Sequence, residues 1–191
     1  MATSTSRLVM PVSARDHLRG PRTAPLTLVE YGDFQCPHCG AAYPIVEQIR
    51  HVMGDRLCFA YRHFPLARIH PRAEPAAEAA EAAGAQGRFW PMHDILFENQ
   101  DALEDADLVL YARTLRLDVA RFTEDLATAI HAPRVREDFM SGVRSGVNGT
   151  PTFFINEMRH DDPYDLEWLV QALEQALLSG RSRRSSEGVR R

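Results

Sequence analysis

The chain contains no lysine, and all 22 of its basic residues are arginine. Alanine is abundant as well, so we interpret the missing lysine as a bias of genome composition that carries no functional information. Cysteine is also scarce, with three residues in a chain of 191. An odd number of cysteines excludes a framework in which every one is paired within the chain.

Long hydrophobic runs are absent too. No stretch of about 20 apolar residues occurs, so we predict no membrane span. Residues 1–20 contain no apolar run of the length found in secretory signals. We therefore expect a cytoplasmic protein, and a reducing compartment disfavours structural disulfides. A Cys-x-x-Cys pair in that setting is expected to be catalytic or metal-binding.

Positive charge is concentrated at one end of the chain. Residues 180–191 hold five Arg and one Glu, which leaves 17 basic and 25 acidic residues elsewhere, a net charge of −8. An acidic body argues against nucleic acid as the main partner. With 45% apolar and 25% charged residues, the composition is that of an ordinary globular domain able to bury a core.

The stretch with the clearest chemical signature is Cys36-Pro37-His38-Cys39. An apolar, β-branched run at 26–31 precedes it and predicts a buried strand, and a helical stretch follows it. Strand, Cys-x-x-Cys and helix in this order are typical of a redox site.

The chemistry expected of the motif follows from its place at a helix N-terminus. Free N–H groups and the helix dipole stabilise a thiolate there, so Cys36 is predicted to be a nucleophile with a lowered pKa. Pro37 suits the first helical turn, where no N–H partner is needed. His38 is expected to add a donor or a positive charge. Cys39, one turn further in, is predicted to resolve the mixed disulfide.

Periodicity and composition divide the chain into several parts. Residues 1–25, rich in Ser, Thr, Arg and Pro, predict a flexible leader with a short extended segment. Residues 26–69 and 147–178 predict one core of strands and helices. Residues 70–146 are helical in pattern and predict an inserted helical subdomain. Residues 179–191 predict a disordered, Arg-rich tail.

At this point several motifs resemble a known family. The motifs are Val-Glu-Tyr-Gly-Asp-Phe at 29–34, Cys-Pro-His-Cys at 36–39, Arg-His-Phe-Pro-Leu at 62–66, Phe-Trp-x-Met-His at 89–93 and Gly-Thr-Pro-Thr-Phe-Phe-Ile-Asn at 149–156. They are similar to motifs of bacterial DsbA-family oxidoreductases, and they look like the thioredoxin-like domain sometimes fused to sodium/proton antiporters. The resemblance covers roughly residues 16–178. It implies an α/β thioredoxin fold, in which helices flank a mixed central sheet, with an inserted helical subdomain.

The resemblance also implies roles for residues around the dithiol. Pro151, preceded by Thr150, is implied to be cis and to lie against the cysteines, which leaves the Thr150 backbone free to pair with an extended substrate chain. The alternative is a proline that merely opens an apolar strand. Glu30 stands where the family has a buried acid, which can exchange protons with the resolving cysteine. The alternative for Glu30 is a solvated carboxylate, and Asp33 is expected on the loop.

A metal site is the competing interpretation of the cysteine pair. Two cysteines supply half of a tetrahedral zinc site, and no second Cys-x-x-Cys exists to complete it. His63, His70 or His93 are the remaining candidate ligands. We predict no metal and no cofactor, and we expect Cys58 to be a buried core thiol.

These observations predict an enzyme that exchanges disulfides with protein or peptide thiol/disulfide substrates. A redox partner or a low-molecular-weight thiol is expected to recycle it. The direction is open, because a stabilised thiolate favours an oxidant whereas a cytoplasmic thiol pool would keep the protein reduced. One alternative is a redox-sensing or partner-binding module that uses the dithiol as a switch. Another is a glutathione-linked transferase or isomerase of the kappa type, although those enzymes generally use a lone Ser or Cys.

Overall fold

A five-stranded sheet forms the centre of the structure. A computed structural model describes the backbone of residues 6–188 and the side chains of residues 6–180. The strands are β1 (His17–Arg19), β2 (Leu26–Gly32), β3 (Leu57–His63), β4 (Thr152–Ile155) and β5 (Met158–His160). Their order across the sheet is β1-β3-β2-β4-β5. Strands β2 and β3 run parallel, whereas the other neighbours pair antiparallel, so the predicted mixed sheet is confirmed.

Seven helices and one 3-10 turn surround the sheet within the described part of the chain. They are α1 (Pro37–Met53), the turn Gly54–Arg56, α2 (Ala73–Gly84), α3 (Phe89–Glu98), α4 (Asp105–Thr114), α5 (Val119–Ala127), α6 (Ala132–Arg144) and α7 (Leu166–Gly188). Helices α2 to α6 fall between β3 and β4, within the stretch 70–146. Helix α7 packs against α1, β2 and β4, and α6 packs against α2 and β3.

The two faces of the sheet bury separate apolar clusters. Because successive side chains of a strand point to opposite faces, Leu26 and Leu28 of β2 join one cluster, which α1 and α7 also line. Val29 and Tyr31 join the other. All seven residues of β3 are buried, as befits a central strand covered on both faces. The dithiol lies on the face that α1 covers.

The N-terminal segment is not a flexible leader over its described part. Leu8 is buried in the second apolar cluster. Its N–H donates to the Glu157 carbonyl at 2.8 Å, and the N–H of Arg159 donates to the Ser6 carbonyl at 2.9 Å. Strand β1 then pairs with β3 at the opposite edge of the sheet. The predicted flexibility is therefore wrong for residues 6–16, the short extended segment predicted within residues 1–25 is present as β1, and residues 1–5 lie outside the described part.

A buried cation explains why this segment is held down. The guanidinium of Arg62, on β3, donates to the carbonyls of Met10 and Pro11 at 2.9 and 3.3 Å. It also forms an ion pair with Asp16 at 2.7 Å, and both side chains are only 4% exposed. A buried charge needs such partners, and the leader supplies them. The composition of residues 1–25 carries no sign of this requirement, because the cation lies on a strand far along the chain.

The C-terminal helix is longer than the sequence predicted. Helix α7 continues to Gly188, past residue 178, where we placed the end of the core. Residues 179–188, where we predicted disorder, thus have helical backbone, and residues 189–191 lie outside the described part. Extending an existing helix needs no new nucleus, and arginine is a good helix former. Among the described helices, none combines the length and the apolar character needed to cross a membrane.

Candidate active site

The two cysteines of the motif lie at the start of α1. Cys36 is the N-cap residue, with extended backbone angles (φ −72°, ψ 121°), and Pro37 occupies the first turn. The Cys36 N–H donates to the Asp33 carbonyl at 3.1 Å, and the Cys36 carbonyl accepts from the Gly40 N–H at 3.0 Å. Both thiols are free. The helix therefore begins at the motif and presents its unpaired N–H groups there.

The surroundings of Cys36 favour the thiolate. A hydrogen bond with the Cys39 thiol contributes most to lowering the pKa of Cys36 to about 5, and the backbone N–H groups of Cys39 and His38 act in the same direction. Burial opposes them. The pKa of the Cys39 thiol is instead raised. The main cause is burial, and the next is its hydrogen bond with Cys36. The pair therefore consists of one nucleophilic and one protonated sulfur at neutral pH.

The two residues between the cysteines face outward. Pro37 and His38 are exposed. His38 reaches the Cys36 sulfur through its backbone N–H. The expected contribution of the His38 imidazole stays a prediction.

The Thr150–Pro151 segment meets the dithiol from the other end of the chain. The peptide bond between the two residues is cis. When protonated, the Cys36 thiol can donate to the Thr150 carbonyl, with 3.4 Å between sulfur and oxygen, across 114 positions of sequence. Both residues are half-buried. The fold thus brings together the two motifs that the sequence singled out.

Glu30 is the buried acid of the site. Its side chain lies on β2 at 3% exposure, and its Oε1 has no hydrogen-bond partner among the described residues. Burial raises the pKa of Glu30 to about 8, and the nearby charge of Cys36 acts in the same direction. The charge of Glu30 in turn raises the pKa of Cys39. The alternative of a solvated carboxylate is excluded.

Asp33 lies on the loop before α1, as expected, but it is fully buried. Its carboxylate accepts hydrogen bonds from the Leu66 N–H, from His70 Nδ1 and from the Gln35 N–H, each at 2.8 Å. Its own N–H donates to the Cys39 sulfur at 3.4 Å. The bond to Gln35, two residues on, is an Asx-turn that the sequence could have indicated. The contacts with Leu66 and His70 could not be read from spacing.

Two glutamines hold the same loop, and sequence reasoning missed both. Gln100 Nε2 donates to the carbonyls of Phe34 and Cys36 at 2.9 Å each. Gln35 Oε1 accepts from the Arg72 N–H at 2.7 Å. All three bonds join the loop to the stretch that carries the inserted helices. Their partners lie 37 to 66 positions away in sequence, so no local pattern points to them.

Tyr61 is a further buried polar group beside the site. It pairs with Glu30 across the parallel strands β2 and β3, so both side chains point to the same face. Its ring lies over Gly32, where an added Cβ would come within 2.5 Å of the ring. Burial raises the pKa of Tyr61, as do the charges of Cys39 and Glu30. The Tyr61 hydroxyl has no hydrogen-bond partner among the described residues.

The histidines proposed as zinc ligands are each engaged by a carboxylate. His63 Nε2 lies 2.9 Å from Glu81, His70 Nδ1 lies 2.8 Å from Asp33, and His93 Nδ1 lies 2.9 Å from Asp94. Burial lowers the pKa of His93 to about 4, so that imidazole is neutral. Cys58 is buried on the face of β3 opposite Tyr61. None of these four residues extends the Cys36–Cys39 pair toward a four-ligand set.

A second cluster of possible metal ligands lies apart from the cysteines. Among the described residues, His63, Glu81 and Asp138 place one ligand atom each within 4.8 Å of one another. Arg134 forms an ion pair with Asp138, and His17 Nε2 lies 2.9 Å from Glu81. A guanidinium and two imidazoles therefore already face the two carboxylates. We interpret the cluster as a network of hydrogen bonds and ion pairs that joins β1, β3, α2 and α6.

Comparison with known proteins gives a family model and curated relatives. A family model described as thioredoxin matches residues 13–175. The Na(+)/H(+) antiporter NhaA 3 of Salinispora tropica is 50% identical over 177 residues, which cover 92% of this chain and 27% of that protein. The Na(+)/H(+) antiporter NhaA 1 of Mycobacterium sp. (strain KMS) is 46% identical over 172 residues, with 87% and 28% covered. The chain thus spans little more than a quarter of the length of these relatives.

Solved structures share the fold at low sequence identity. Oxidised BdbD from Bacillus subtilis superposes with a TM-score of 0.79 at 22% identity, covering 91% of this chain and 97% of that one. Wolbachia pipientis alpha-DsbA1 gives a TM-score of 0.77 at 19% identity, with 92% and 97% covered. Identities this low establish the fold alone.

Proposed function

The chain belongs to the thioredoxin family, and on that premise we propose that it is a thiol-disulfide oxidoreductase in which Cys36 attacks and Cys39 resolves. The observation that carries the proposal is the state of Cys36. It caps α1, its pKa is lowered to about 5, and its sulfur lies 3.4 Å from the Thr150 carbonyl. A thiolate held next to a backbone segment is what exchange with a peptide disulfide requires.

In the direction that reduces a substrate, the first step consumes the thiolate, and an oxidant runs the same steps in reverse. The Cys36 sulfur attacks one sulfur of a substrate disulfide, a Cys36–substrate disulfide forms, and the other substrate sulfur leaves as a thiolate that takes up a proton. The Thr150 backbone is suited to pair with the extended substrate chain beside the bond.

The second step needs a base for Cys39. The ionised fraction of Glu30 accepts the Cys39 proton, and the Cys39 thiolate attacks Cys36 Sγ. The Cys36–Cys39 disulfide forms, and the second substrate sulfur leaves. In the mixed disulfide Cys36 carries no charge, so its contribution to the raised pKa of Glu30 is lost. Glu30 is therefore more readily ionised at the stage where a base is required.

The test is turnover with a protein disulfide. We expect the wild-type protein to accelerate the reduction of insulin by dithiothreitol, and Cys36→Ala to abolish the acceleration. Cys39→Ala should instead accumulate a mixed disulfide that is visible by mass spectrometry. Cys58→Ala is the matched control and should retain activity, because Cys58 lies on the opposite face of β3. A wild-type protein without activity contradicts the proposal.

The direction of exchange follows from the redox potential of the pair. A lowered thiolate pKa stabilises the reduced form and favours an oxidant. We expect a potential above the cytosolic glutathione poise, which is about −220 to −320 mV. Equilibration of the Cys36–Cys39 pair with glutathione measures it, and a value below that range assigns a reductase. The cytoplasmic location stays a prediction.

A second candidate function is a redox-sensing module. The observation that favours it is the similarity to about a quarter of each Na(+)/H(+) antiporter relative. In that role the dithiol would alter the affinity for a partner, without turnover. A protein inactive with insulin, whose affinity for a partner changes on oxidation, supports the sensor. The kappa-type alternative is disfavoured, because both cysteines of the pair are present and in contact.

A further inference from the structure

Gln100 reaches the active-site loop from the inserted helices. It lies two residues beyond the end of α3 and is half-buried. Its Nε2 donates to the Phe34 carbonyl and to the Cys36 carbonyl, both at 2.9 Å. One carboxamide therefore fastens the backbone on both sides of Gln35.

A glycine makes room for this carboxamide. A Cβ added at Gly40 would come within 2.0 Å of Gln100 Oε1 and 2.6 Å of its Cδ. Gly40 lies in the first turn of α1, and its N–H donates to the Cys36 carbonyl at 3.0 Å. Glycine is a poorer helix former than alanine. A left-handed backbone does not explain the presence of glycine at this position, because Gly40 is not among the glycines with positive φ.

The bonds that Gln100 makes bear on the nucleophile. The Cys36 carbonyl accepts from Gly40 within the helix and from Gln100 outside it, so the N-cap residue is held from two sides. Three donors to the Cys36 sulfur lie in the turn that begins at this cap, namely the Cys39 thiol and the backbone N–H groups of His38 and Cys39, and Thr150 is a fourth partner from outside the turn. The distances of the three donors in the turn to the sulfur depend on where the cap is held.

We propose that Gln100 is a positioning residue for Cys36: seated against Gly40, it fixes the N-cap backbone so that the first turn of α1 points its donors at the sulfur. The inference rests on the proposed function only for its consequence in turnover. The positioning itself concerns the thiolate and is measured without any substrate.

The test measures the reactivity of Cys36 directly. Thiolate absorbance as a function of pH and the rate of alkylation by iodoacetamide both report it, since Cys39 and Cys58 have raised pKa values. We expect Gln100→Ala to raise the pKa of Cys36 by about 1, because donor geometry worth a net hydrogen bond is loosened. At pH 5 this lowers the thiolate fraction, and with it the alkylation rate, about fivefold.

Gly40→Ala offers a second route to the same change. Its methyl group displaces the Gln100 carboxamide, so we expect a similar fall in alkylation rate. In the double variant Gly40→Ala/Gln100→Ala the clash is absent, and the effect should be no larger than that of Gln100→Ala alone. Such non-additivity is the mark of two residues that act through one contact. Additive effects overturn the proposal.

Gln86 supplies the matched control. Its carboxamide also makes two backbone hydrogen bonds, accepting from the Asp118 N–H at 2.8 Å and donating to the Asp118 carbonyl at 3.2 Å. It joins α2 to α5, away from the cysteines. Gln86→Ala should lower the urea midpoint about as much as Gln100→Ala and leave the Cys36 titration unchanged. If Gln100→Ala also leaves the titration unchanged, Gln100 is merely structural and the proposal fails. A wild-type protein inactive with insulin refutes the proposed function and leaves this result intact.

Discussion

Glu30 and Glu81 are both buried, and their surroundings differ. They are 3% and 7% exposed. Glu30 Oε1 has no hydrogen-bond partner among the described residues, whereas Glu81 Oε1 lies 2.9 Å from both His17 Nε2 and His63 Nε2. Burial raises the pKa of Glu30 to about 8. Burial acts in the same direction on Glu81, but the hydrogen bonds with His17 and His63 outweigh it and lower the pKa of Glu81.

The difference separates two uses of the same side chain. Burial alone makes a carboxyl that holds its proton near neutral pH, which suits proton exchange with Cys39. Burial with cationic and hydrogen-bonding partners makes a fixed charge, which suits a joint between elements. Glu81 lies on α2 and connects it to β1 through His17 and to β3 through His63. The partners, and not the depth of burial, decide which role a buried glutamate takes.

The largest loss of stability is expected on replacing Glu81. Glu81→Ala leaves His17, His63 and Arg134 without their shared carboxylate. We expect a loss of about 3–5 kcal/mol in the free energy of unfolding, as for removal of one partner from a buried ion pair. Urea denaturation measures it. Glu74→Ala, at an exposed position on the same helix, is the control and should stay within about 0.5 kcal/mol of wild type. An equally small effect at Glu81 would mean that the network does not hold these elements together.

Glu30→Gln should act in the opposite direction on stability. The pKa of Glu30 is raised in the folded state, so the carboxyl destabilises the fold as pH rises from the unfolded pKa of 4.5 toward 8. Replacing it with a neutral amide should increase the free energy of unfolding by about 3 kcal/mol at pH 7.

Turnover supplies the second measurement on Glu30→Gln. Loss of a general base should slow insulin reduction about 100-fold or more. A variant that is less stable at pH 7, or equally active, contradicts the assigned state or role of Glu30.

The stability of the protein is expected to depend on pH through Cys36 and Glu30. Folding lowers the pKa of Cys36 from 9.0 to about 5, so the contribution of Cys36 to the free energy of unfolding rises between pH 5 and pH 8. The contribution of Glu30 falls over nearly the same range, because folding raises its pKa to about 8. The two slopes, each about 1.4 kcal/mol per pH unit, should largely cancel in wild type. Glu81 does not add to the pH dependence between pH 5 and pH 8. Because its pKa is lowered, the stability that it contributes is lost only at more acidic pH.

Single variants should reveal the separate pH dependences of stability that Glu30 and Cys36 contribute. Measured relative to wild type across pH 5 to pH 8, Glu30→Gln should become more stable as pH rises and Cys36→Ala less stable. Urea midpoints at each pH are the measurement. Parallel profiles for all three proteins would show that neither group titrates abnormally.

The smallest expected effect is at Tyr61. Tyr61→Phe removes a buried hydroxyl without a partner, so we expect no loss of stability and a gain of at most about 1 kcal/mol. Tyr31→Phe is the matched control, since its hydroxyl bonds with Ser141 at 2.7 Å and with Arg62 at 3.0 Å. That variant should lose about 1–2 kcal/mol. A comparable loss at Tyr61 would reveal a partner for its hydroxyl, with Glu30 the nearest candidate across the strand pair.

The sequence predicted the parts of the site that depend on local order. Cys36 at a helix start, and Glu30 on the strand before it, follow from spacing within one strand–turn–helix unit. Thr150 and Pro151 came from the family resemblance, which supplies long-range pairing that spacing cannot.

The parts that were missed depend on contacts between distant segments. Glu81 sits in an Ala/Glu-rich helix whose composition gives no sign that His17, 64 positions earlier, will meet it. The contacts of Gln100 with the active-site loop, and those of Arg62 with the N-terminal segment, likewise join residues that are far apart in sequence. The prediction of a flexible leader was wrong for the same reason. Polar composition predicts mobility only where no buried group forms hydrogen bonds with the backbone of the segment.

The N-terminal segment has a consequence for the order in which the chain is synthesised. Residues 6–8 pair with residues 157–159, so this segment leaves the ribosome about 150 residues before its partner does. The parallel pairing of β2 with β3 and the antiparallel pairing of β1 with β3 need only the first 63 residues. During translation the segment that covers the β5 edge must therefore wait until β5 itself emerges, and a pairing of such long sequence separation forms slowly. Residues 6–8 and strand β1 therefore pair at the two edges of the sheet at different times, although they belong to one short stretch of the chain.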